Sequence, residues 1–104
     1  MSRPGLTRTL VVERAALILD NPSLGGLNLA ALAESLGVRP PSLYKHIDGM
    51  PGLQRDIMLR AKANLAHALG QSAIGRSHDD AIRALALAYR RWALEHPGQY
   101  PMTV

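Results

Sequence analysis

Apolar residues recur at three- and four-residue spacings along most of this chain, the mark of helices that each bury one stripe. Val12, Ala15, Ala16 and Leu19 form the first stripe, with Glu13, Arg14 and Asp20 lying off it. Thr7 or Thr9 can cap that helix, and Asn21-Pro22 ends it near Asp20, since proline has no N–H to continue the ladder. Ser23 to Leu27 reads as a glycine-containing loop. A second stripe, Leu29, Leu32, Ala33 and Leu36, starts behind Asn28, whose side-chain oxygen can accept from an early N–H that has no partner in the helix. Leu27 and Leu32 have the spacing of a hydrophobic staple. Gly37 follows as the residue able to take a positive φ just past the helix end.

The same reading predicts a short third helix from about Pro40 to Ile47. Pro40 and Pro41 fall in its first turn, where a missing N–H does little harm. Leu43 and Ile47 should face inward, leaving Ser42, Lys45 and His46 nearer the outer side and Tyr44 at the border. Asp48-Gly49 interrupts the chain. A long fourth helix is expected from about Met50 to Leu69, carrying Leu53, Ile57, Ala61, Leu65 and Ala68, with Gly70 to Arg76 as a linker. Ser77-His78-Asp79-Asp80 resembles a capping box, with acids at the positive end of a fifth helix. That helix should place Ile82, Leu85, Tyr89, Trp92 and Ala93 on one side and stop at Pro97-Gly98. There is no internal repeat.

Composition narrows the fold further. Aromatic residues are only 4% and phenylalanine is absent, so the interior must be built from Ala, Leu, Ile and Val. Such small side chains favour closely packed helices, and an all-α fold is expected. Cysteine is absent, which excludes disulfides, zinc fingers and thiol chemistry. The longest uncharged run, Asn21 to Ala33, is too short and too rich in Gly, Pro and Asn to span a bilayer. No hydrophobic signal core opens the chain. These points make a cytoplasmic protein the default. The net charge of +4 mildly favours a polyanionic partner. It is spread evenly, however, at +2 for residues 1–60 and +2 for residues 61–104.

Position is more telling than charge. Two short helices meeting at Gly37-Val38, the second ending in Tyr44-Lys45-His46, make the support-turn-reader arrangement that enters the DNA major groove. Leu-Ala-Glu-Ser-Leu-Gly-Val followed by Pro-Ser-Leu-Tyr-Lys-His resembles the N-terminal domain of TetR-type transcriptional repressors, over about Leu6 to Leu53. Ala88-Tyr89-Arg90-Arg91-Trp92 and Glu95-His96-Pro97-Gly98 with Tyr100 resemble the start of the regulatory domain in the WHG subgroup. The resemblance implies a helix-turn-helix domain at 1–50. Residues 51–104 would then be a connecting helix and the first part of a truncated regulatory domain. It further implies double-stranded operator DNA as partner, homodimers, and a small-molecule effector in longer forms. No cofactor, metal or membrane is implied.

Carried over residue by residue, the resemblance assigns DNA contact to Asn28, Arg39, Pro41, Ser42, Tyr44, Lys45 and His46. Ser42 and Lys45 can meet base edges, Pro41 a thymine methyl, and Tyr44 and His46 phosphates. Asn28 stands where the family usually has Thr, at a helix N-terminus whose free N–H groups suit a phosphate. Arg39 replaces a common capping Ser, Met50 a common Lys, Leu29 an occasional Arg and Ile47 the usual Phe. Fewer cations imply weaker, less salt-dependent binding. Arg3 and Arg8 could compensate from a basic N-terminal arm.

Tyr89, Trp92 and Tyr100 could line an effector pocket, although an aromatic stripe at helical spacing is more often core. His67, His78 and His96 have no metal-ligand spacing. Ser42 and His46 share a face without a carboxylate to orient them, so no catalytic set is expected. A helical protein-interaction module, or a small-molecule sensor without its own DNA binding, remains as the alternative.

Overall fold

The computed structural model describes residues 5–104. They form five α-helices: α1 (Arg8–Asp20), α2 (Leu29–Ser35), α3 (Pro40–Leu43), α4 (Gly49–Ala73) and α5 (His78–Glu95). Single 3-10 turns occupy Pro22–Leu24 and Tyr100–Thr103. Among the described residues there is no strand, as the helical spacing predicted.

Local chemistry sets the helix ends. Thr7, rather than Thr9, caps α1, its hydroxyl accepting from the Leu10 N–H at 3.1 Å. Asn28 caps α2 by accepting from the Ala31 N–H at 2.7 Å. Gly37 closes α2 at φ +69°. There the Val38 N–H bonds the Ala33 carbonyl and the Gly37 N–H bonds that of Glu34. This paired closure satisfies carbonyls that a helix end otherwise leaves open. Ser77 precedes α5 but its side chain makes no capping bond, so the expected capping box does not form.

Two cores are strung along one helix. The first joins Val11, Val12, Ala15, Ala16 and Ile18 of α1 with Leu32, Ala33, Leu43, Ile47, Leu53 and Ile57. The second joins Ala61 and Leu65 of α4 to Trp92 of α5, with Tyr89 and Tyr100 packed beside them. Leu53, Ile57, Ala61 and Leu65 follow at four-residue steps, so one stripe of α4 serves both cores over about 18 Å. The molecule is accordingly elongated, 51 × 31 × 24 Å. α4 therefore begins inside the first bundle, although the sequence division falls at residue 50.

Two expected boundaries and one expected burial change. The third helix ends at Leu43 instead of Ile47, and Tyr44 to His46 form a turn. α4 runs through Gly70 to Ala73, because one glycine costs a helix only about 1 kcal/mol and the neighbours support it. Ile82 is 66% exposed and does not belong to the buried side of α5.

Candidate nucleic-acid interface

The turn after α2 delivers the chain to Arg39 in extended conformation, and α3 begins with Pro40 and Pro41 in its first turn. Leu43 is fully buried and Ile47 nearly so, which anchors the segment at both ends. Between the anchors the chain tightens: the His46 and Ile47 N–H groups both bond the Leu43 carbonyl, at 2.8 and 3.1 Å. Tyr44 is 56% exposed as a result, Lys45 is exposed, and His46 is half-buried. Arg39 and Pro41 are exposed and Ser42 is half-buried. The segment from Ser35 to Ile47 holds two cations and no acid. Its outer edge is therefore positive and rich in hydrogen-bonding groups while its inner edge is aliphatic.

The arrangement brings Arg39, Pro41, Ser42, Tyr44, Lys45 and His46 onto one short surface segment, with Asn28 at the start of the supporting helix. It does not bring Arg8 there as part of an arm. Arg8 is the first residue of α1, and its guanidinium meets Asp56 of α4 at 2.7 Å and Asp48 at 3.8 Å. Arg3 lies outside the described residues. Trp92, Tyr89 and Tyr100 cluster around the second core. Tyr89 and Tyr100 pack edge to face at 6.0 Å, and Trp92 packs on the His96 ring at 4.5 Å. Desolvation, and then the neighbouring Tyr100, raise the Tyr89 phenol above its ordinary pKa. An open cleft of about 310 Å³ between α4 and α5 is lined by Ala68, Gln71, Ser72, Arg91, Trp92 and other residues. Trp92 thus lines a cleft with one face while its bulk fills the core.

Two polar arrangements escaped the sequence reading. Arg14 of α1 donates to the Ser35 carbonyl at 2.6 Å, closing the last turn of α2 and tying it to α1. Asp20, at the end of α1, accepts hydrogen bonds from His96, Gly98 and Gln99. The available signal was an acid at a helix C-terminus, where the dipole disfavours it. Among the described residues no cluster of His, Asp or Glu could hold a metal ion, and no helix is long and apolar enough to cross a membrane.

No protein-family model matches the chain. Individual proteins do. It is 40% identical over 98 residues to the uncharacterized HTH-type transcriptional regulator YobS of Bacillus subtilis (strain 168), covering 94% of this chain and 51% of that protein. It is 39% identical over 101 residues to the uncharacterized HTH-type transcriptional regulator Rv0681 of Mycobacterium tuberculosis (strain ATCC 25618 / H37Rv), covering 96% and 46%. Against the tetracycline repressor protein class D of Escherichia coli, identity is 29% over 91 residues, 88% of this chain and 41% of that one. The chain spans about half the length of these curated relatives.

Proposed function

The chain belongs to the TetR-type helix-turn-helix transcriptional regulators, and from that premise we propose that it is the operator-reading part of a sequence-specific repressor. One observation carries the reading. Leu43 and Ile47 are locked in the core, so the intervening Tyr44, Lys45 and His46 are held at the surface beside Arg39, Pro41 and Ser42. An exposed, positively charged segment anchored at both ends by buried residues suits the major groove, about 12 Å wide.

Its residues divide the work. Pro41, Ser42 and Lys45 read base edges; Tyr44, His46, Arg39 and the N-terminus of α2 at Asn28 set the register on phosphates. The molecule works as a homodimer in the cytoplasm, with two reading segments about one DNA turn (~34 Å) apart. In a full-length form a small-molecule effector, received by a regulatory domain that begins near residue 51 and includes Tyr89, Trp92 and Tyr100, shifts that spacing and releases the operator. The chain has no catalytic role.

The test is selection of bound duplexes from a random pool, followed by titration with variants. Tyr44→Ala combined with Lys45→Ala should weaken the selected duplex at least about tenfold, as loss of one or two such contacts does. Parent-like binding by that double variant would refute the site. Failure to enrich any sequence would instead favour an interaction module.

A further inference from the structure

A carboxylate at the last residue of a helix faces the negative end of the dipole and needs compensation. Asp20 occupies that place in α1. Its compensation comes from a segment 76 to 79 positions away. Oδ1 accepts from the backbone N–H groups of Gly98 at 3.0 Å and Gln99 at 2.9 Å. Oδ2 accepts from Gln99 Nε2 at 2.6 Å and from His96 Nδ1 at 2.8 Å. A carboxylate only accepts, so the His96 proton sits on Nδ1.

The approach is close by construction. A Cβ on Gly98 would stand 2.0 Å from the Leu19 carbonyl oxygen, so only glycine lets the turn lie against α1. Gln99 is buried, and its Oε1 has no partner. Just beyond, Met102 packs on the first core and Tyr100 on the second.

This contact changes the mechanics of the molecule. The α1–α3 bundle rests on the first half of α4, and α5 rests on the second half. With α4 alone between them, the bundle could tilt about its own contact with that helix. The turn at Asp20 supplies a second strut and closes a ring of α1, turn, α5 and α4.

We infer that Asp20 is a positioning residue for DNA reading: by gripping the His96-to-Gln99 turn it fixes the tilt of α1–α3 on α4, and release of that grip changes the pitch of the reading segment. The inference rests on the function proposed above, but its mechanical half can be measured without DNA.

The parent chain lacks cysteine, so Ala30→Cys and Ala86→Cys, both at exposed positions, give one spin-label pair across the ring. Labelled chain is diluted in unlabelled chain so that only distances within a chain are read. Asp20→Ala removes all four bonds; Gly98→Ala wedges the turn away while the carboxylate stays. Both should shift and broaden the distance distribution with helix content retained, and weaken the selected duplex about tenfold, a usual size for coupling between sites. Asp20→Asn should keep the parent distance and bind within about threefold. Its oxygen still takes the two backbone N–H groups, the Gln99 amide can turn its unpartnered oxygen to the new NH₂, and His96 can shift its proton to Nε2 so that Nδ1 accepts from the same NH₂. Should Asp20→Ala fail to fold, Gly98→Ala decides. Parent-like distances in the folded variants would overturn the inference, as would lost affinity at unchanged distance. A parent chain that enriches no duplex would overturn the function and the DNA half of the inference together, whereas unchanged distances beside intact binding would overturn the strut alone.

Discussion

Asn28 has two roles that charge can separate. Its side chain caps α2 through the Ala31 N–H, and in the proposed complex the same helix end lies near a phosphate. Asn28→Ala should lower stability by about 1 kcal/mol, the usual cost of a lost cap. Asn28→Asp should restore that stability, since a carboxylate caps equally well, yet weaken DNA binding by repelling the phosphate. Urea denaturation beside a gel-shift titration checks both; an Asp variant that binds like the parent would remove Asn28 from the interface. Gly37 is a simpler case. At φ +69° an alanine is strained, and Gly37→Ala should cost about 1–2 kcal/mol in the same denaturation assay. Both residues were legible in the sequence because capping is a local rule that needs only a few neighbours. Asp20 was not. Its partners lie 76 positions and more away, and no local rule connects them.

Among elements, α3 shows where periodicity stops being informative. The spacing of Leu43 and Ile47 correctly assigned their burial, but it could not distinguish a helix from a tight turn, since both place those residues on one side. Two prolines open α3 and Gly49, at φ +69°, closes the segment, so little room remains for a regular helix after Leu43. α4 outran its predicted end for the converse reason: Gly70 lies among good helix formers with nothing nearby to stop the chain. The turn matters for function because it fixes Tyr44 to His46 between two buried anchors. Arg39→Ala should reduce the slope of log affinity against log salt by about 1, since Arg39 is the exposed cation assigned to a phosphate. Ser42→Ala should leave the slope alone and relax preference at one base position. Titrations from low to moderate salt with matched and mismatched duplexes separate the two. A slope unchanged by Arg39→Ala would remove that arginine from the phosphate contacts.

Over the whole molecule, the division of labour along α4 decides how damage spreads. Leu65 lies in the second core and touches none of the first, so Leu65→Ala should cost about 2–5 kcal/mol there. With α4 as the only connection, loss of amide protection would stay in α5 and the end of α4. The ring closed at Asp20 predicts a different pattern. Loosening Trp92 loosens the His96 ring packed against it, and with it a donor to Asp20. Amide protection should therefore also fall in the last turn of α1 while α2, held by Arg14 through the Ser35 carbonyl, keeps its own. Native-state hydrogen exchange of Leu65→Ala against the parent reads this residue by residue. Protection lost in α5 but intact at Leu19 and Asp20 would mean that the two cores communicate only through α4. Uniform loss across all helices would mean that they form one cooperative unit.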